Sequence, residues 1–113
     1  MSSAQTDFAS TDPTLRPPKF QRRRQDMYEA VIRLIEDQER YKILTKDPDG
    51  ARVKGEIQCS MGVVHQFEVW VDGDKNGPVS VHMKSEKKSG LLDFGAGVKN
   101  VREFTILLHH RES

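Results

Sequence analysis

The sequence predicts an α+β domain: an N-terminal amphipathic helix packed on a four-stranded antiparallel meander, followed by a C-terminal helix. Three observations carry this reading. Residues 63–72 (VVHQFEVWVD) and 78–85 (PVSVHMKS) alternate, with Val63, Phe67, Val69 and Val71 on one parity and Val79, Val81 and Met83 on another. A period of two places each set on one face of a strand. Met27, Tyr28, Val31, Ile32, Leu34 and Ile35 recur at spacings of three and four, which makes one helical stripe. The connections are short and rich in turn residues, at 47–50 (DPDG) and 72–77 (DGDKNG). A lone hairpin is unstable in water, so the 63–85 hairpin needs further strands and a cover.

Taken in order, residues 1–20 (MSSAQTDFASTDPTLRPPKF) hold many Ser, Thr, Asp and Pro and show no periodicity. They are expected to form a disordered arm, with residues 21–113 as a single domain. Residues 16–24 (RPPKFQRRR) are basic at five of nine positions: Arg16, Lys19, Arg22, Arg23 and Arg24. They read either as a docking arm for phosphate-rich surfaces or a nuclear import signal, or as a solvated basic entry to the helix. Basic residues in a first turn oppose the helix dipole, at a cost of about 0.3–1 kcal/mol, too little to prevent a helix. The helix is expected over Gln21–Arg40, with Asp26 as a fallback N-cap.

Tyr41–Thr45 and Ala51–Ser60 are the first two strands. Val53, Ile57 and Cys59 share the inner parity of the second, and Gly55 marks a bulge or a close approach of the helix. Met61 and Gly62 turn the chain into the central hairpin. After it, 91–94 (LLDF) is expected to tuck against the core edge, and Gly95–Gly97 forms a joint. Residues 98–110 (VKNVREFTILLHH) fit two patterns. As a helix they align Val98, Val101, Phe104 and Leu108, with Asn100 and Glu103 as a capping box. As a strand they alternate Phe104, Ile106 and Leu108. The helix is preferred.

The 113 residues suffice for one domain, and the net charge of +1 means that any attraction to an acidic partner must come from local clustering. A single cysteine, Cys59, permits no internal disulfide; with no signal peptide evident, the cytoplasm or nucleus is the expected location. No run is long and apolar enough for transmembrane insertion.

Catalytic and metal chemistry find little support. Cys59, His65, His82, His109 and His110 form no CxxC, HxxxH or HExxH spacing, although His65 and His82 could meet on neighbouring strands facing the same way. Cys59 has the parity of a core thiol, Ser60 and Ser80 lack a nucleophile elbow, and Asp72 and Asp74 sit in a turn. No enzyme activity, cofactor or metal is expected. Trp70 lies on the polar parity beside Val64, so it reads either as an interface anchor for another protein or a second copy, or as a ring covered by the arm or the 86–97 loop.

Lys84, Lys87 and Lys88 make a second basic patch, diluted by Glu86. With Arg16, Lys19, Arg22, Arg23 and Arg24 it could form one surface for acidic phospholipid or nucleic acid, each cation near an anionic membrane contributing about 1 kcal/mol. The helix at 26–35, the strand FEVWV at 67–71 and the strand VSVHMKS at 79–85 leading into Lys87, Lys88 and Gly90 together resemble the kinase-associated (KA1) domain over residues 25–110. That resemblance implies phospholipid head-group contacts at Lys84, Lys87 and Lys88, and in some members restraint of a kinase. RWD-like kinetochore domains share much of the order and bind peptides. The expected function is therefore a non-catalytic module for an anionic partner, with protein docking or homodimerisation through Val64 and Trp70 as the alternative.

Overall fold

The computed structural model describes residues 3–59, 62–89 and 95–112. The chain forms β1 (Ser3–Gln5), a 3-10 turn (Pro13–Leu15), β2 (Lys19–Phe20), α1 (Arg24–Glu36), β3 (Tyr41–Asp47), β4 (Arg52–Gln58), β5 (Val64–Gly73), β6 (Val79–Ser89) and α2 (Ala96–Glu112). The sheet is six-stranded and runs β1-β6-β5-β4-β3, with β2 also paired to β6; every pairing is antiparallel.

This corrects the four-stranded meander. The extra strands come from residues 3–20, which composition alone reads as a disordered arm. β1 pairs Ala4 with Ser85, and β2 pairs Phe20 with Val79. Between them Thr6 N donates to Met83 O at 2.9 Å, and Val81 N donates to Pro18 O at 3.0 Å. The physical reason is backbone demand. Without these segments β6 would be an edge strand with unpaired N–H and C=O groups, and two short strands satisfy it without any hydrophobic periodicity. Phe20 also plugs into the core at 9% exposure.

The core lies on the face of the sheet that carries Val53, Ile57, Phe67, Val69, Val71, Val81 and Met83, all buried. α1 covers it with Met27, Tyr28, Val31, Leu34 and Ile35, and α2 with Val101, Phe104 and Leu108. The ambiguous 98–110 segment is thus helical. Asn100 is not its cap; it is buried inside the helix. α1 starts at Arg24 with Arg23 at the N-cap and no side-chain cap, while Asp26 stands in the first turn 3.3 Å from Arg23. In place of a side-chain cap, Arg24 N donates to Lys75 O at 3.0 Å, which pins the β5–β6 loop to the helix start.

Gly55 is required by a close approach, but of a strand rather than a helix. A Cβ there would collide with the Lys42 carbonyl and lie 2.6 Å from the Phe67 ring. The register shift lies opposite, on β3 between Ile43 and Thr45, and the extra residue Leu44 is 54% exposed. The expected apolar tuck at 91–94, along with Ser60 and Met61, lies outside the described residues. No helix among the described residues is long and apolar enough to cross a membrane.

Candidate functional site

The segment between β1 and β2 is held in shape by its own polar groups. Asp12 accepts from Thr14 N at 2.9 Å and from Thr14 Oγ1 at 2.6 Å, which starts the 3-10 turn. From α2, Arg102 donates to Asp12 Oδ2 at 2.8 Å and to Thr14 Oγ1 at 3.2 Å. The Thr14 hydroxyl and then the Arg102 guanidinium hold the Asp12 carboxyl down at about 2. Asp7 N donates to Leu15 O at 2.8 Å and closes the loop.

Clamped this way, the segment and α2 enclose a groove of about 580 Å³. One wall is Pro13, Thr14, Arg16, Pro17, Pro18 and Lys19; the other is Thr105, Ile106, His109 and His110. Among the described residues no carboxylate lines it. Arg16 is fixed by its Nε, which donates to Ser10 O at 2.8 Å, and Lys19 Nζ lies 5.2 Å from the Phe8 ring centroid. Neither forms an ion pair among the described residues. Thr105 is 6% exposed, and its Oγ1 has no hydrogen-bond partner among the described residues.

The other expected contact residues are placed elsewhere. Arg22 pairs with Glu112, Arg23 with Asp26, and Lys88 with Glu56, whose carboxyl the ammonium holds below its ordinary value. Arg24 spends its guanidinium on carbonyls, donating to Val71 O at 3.2 Å and Asp49 O at 3.4 Å. Lys84 lies 3.8 Å from Glu86, in an outer-face hollow where Lys54, Glu68 and Glu86 mix signs. Lys87 is half-buried opposite His65. Four of the eight cations are therefore matched by carboxylates.

Trp70 lies on the outer face, as its parity implies, but it is covered on both sides. Its ring stacks on His82 at 5.3 Å and 7°, and Arg52 Cζ sits 5.1 Å from its centroid. Phe8 meets the His82 ring edge-on at 5.5 Å, so the N-terminal segment does reach this row. Val64 is half-buried at the far end of β5. Burial pushes the His82 imidazole below its ordinary value, against an opposing pull from Asp72. His65 faces the core and His82 faces outward, so the imagined imidazole pair does not form, and no group of three or more metal-binding side chains occurs among the described residues.

One cluster escaped the sequence reading. His65, Ser85 and Asn100 are fully or almost fully buried between the sheet and α2. Asn100 Nδ2 donates to Ser85 Oγ at 3.2 Å and to Cys59 Sγ at 3.4 Å, while Ser85 Oγ lies 2.8 Å from His65 Nδ1. Ser85 Oγ thus accepts from Asn100 and also bonds His65 Nδ1, in a direction set by the imidazole tautomer. The trio has the components of a nucleophile and base, yet Ser85 has 0% exposure, and the network reads as a polar bridge that docks α2. The visible signal was parity: His65 and Ser85 fall on the core face of otherwise apolar strands.

No curated protein matches the chain. The model of a family described as a protein of unknown function (DUF1499) matches residues 1–108, which takes in β1, β2, the 13–19 wall of the groove and most of α2. The chain therefore belongs to the DUF1499 family.

Proposed function

We propose that this chain is a non-catalytic binding module that seats an anionic group in the groove between residues 13–19 and α2, with Arg16 and Lys19 as the charged contacts. The observation that carries the reading is the division of the cations. Of the candidate basic residues, Arg22, Arg23, Lys84 and Lys88 are matched by carboxylates, whereas Arg16 and Lys19 line a concavity that has no carboxylate among the described residues. Two cations with no carboxylate partner among the described residues form a site for an oxyanion. The KA1 resemblance points to the same partner class, acidic head groups, through other residues. A head group fits the concavity better than nucleic acid, which needs a continuous basic track. The setting we propose is cytosolic or nuclear, in keeping with the lone Cys59.

Anionic vesicles and a labelled oligonucleotide, each titrated at low and high salt, test this. Vesicle binding should be strong at low salt, weaken as salt rises, and fall about tenfold or more in Arg16→Glu/Lys19→Glu. Binding to neither probe, or binding that ignores that double variant, rejects the reading.

A further inference from the structure

The groove is built for more than charge. Its volume, about 580 Å³, falls in the range of roughly 300–1,000 Å³ typical of small-molecule sites. Much of its lining is carbon: Pro13, Pro17 and Pro18 on one wall and Ile106, 48% exposed, on the other. Thr105 adds a buried hydroxyl that no protein group satisfies among the described residues. An unsatisfied buried donor is costly, and an incoming oxyanion supplies the missing acceptor. The walls are also set in advance, since Arg102 ties Asp12 to α2 and Ser10 O orients Arg16. A preformed site loses less freedom on binding.

We propose that the groove holds one molecule of a single-chain amphipathic acid, its carboxylate or phosphate on Arg16 and the Thr105 hydroxyl with Lys19 on the same wall, and its apolar chain between Pro17 and Ile106. This rests on the reading of the groove as an anion site and narrows it to a monomeric ligand. Head and chain are recognised by different residues, so each can be removed separately.

The test is calorimetric titration of the full chain with dodecanoate and with dodecyl phosphate, each below its micelle concentration. Acetate, inorganic phosphate and uncharged dodecyl maltoside serve as comparators. One-to-one binding of at least one chain-bearing anion is expected, at least about tenfold tighter than any comparator, and the preferred anion identifies the head. Arg16→Gln/Lys19→Gln and Ile106→Glu should each weaken it by about tenfold or more. Amide shifts on binding should concentrate at 13–19 and 105–110. These three residues are exposed, and circular dichroism with thermal melting verifies that the variants fold. Equal binding of the maltoside, or no effect of Ile106→Glu, overturns the proposal. If acetate or phosphate binds as tightly as the chain-bearing anions and loses affinity in the Arg16/Lys19 variant, the amphiphile is wrong while the anion site stands. If no anion binding responds to that variant, both fall.

Discussion

Asn100 shows how one side chain can fix the place of a helix. Its amide reaches Ser85 on β6 and Cys59 beyond β4, so α2 is registered against two parts of the sheet at once. Gly97, one turn earlier, lies against the same part of the sheet, where a Cβ would touch Ala4 Cβ and His65 Cε1 at 3.4 Å. Asn100→Ala removes the donor and should cost about 1–3 kcal/mol. In a domain of this size that lowers the melting temperature by roughly 4–8 °C per kcal/mol, which scanning calorimetry will show. A melting point unchanged from that of the parent protein would refute the bridging role. His82 makes a second prediction at this scale. Burial lowers its folded-state basicity, so the unfolded chain binds more protons as pH drops. Its contribution to stability is therefore complete above the unfolded value and declines as pH falls through about 6.5. Denaturant melts of wild type and His82→Phe between about pH 7 and pH 5 should show the smaller decline in the variant; parallel curves would refute it.

At the scale of elements, the sequence revealed what depends on side-chain rhythm and concealed what depends on backbone need. The stripe from Met27 to Ile35 and the alternation from Val63 to Met83 are both there, and both face the core as their periods require. β1 and β2 contribute three and two residues, too few to establish a period, and what they satisfy is the outer rim of β6. A sequence of Ser, Thr, Asp and Pro carries no mark of that role. α2 was half-legible because Ile106 and Leu107 stay exposed and blur its stripe. Deleting residues 1–6 should speed amide exchange at Met83 and Ser85 by an order of magnitude or more, because their partners Thr6 and Ala4 are gone. Exchange unchanged at those two amides would show that β1 contributes nothing to the sheet.

For the molecule as a whole, charge is arranged by cancellation. Most ion pairs among the described residues join distant parts of the chain: Arg22 with Glu112, Arg40 with Glu103, Arg52 with Glu68, Arg111 with Asp37. The sequence disclosed the basic residues but not their partners, which lie up to 90 positions away. It therefore could not separate Arg16 and Lys19 from Arg22, nor bring His109 and His110 to the same wall. The candidate site became readable only when the two ends of the chain were seen side by side.

That adjacency also sets a timetable. Thr6 meets Met83 across 77 positions, so the residues around Thr6 leave the ribosome well before the strand they pair with. At roughly 5–20 residues per second, the delay is on the order of several seconds. During it the amino-terminal stretch has no strand to join. The groove can exist only once residues 105–110 have been added to the chain that carries residues 13–19.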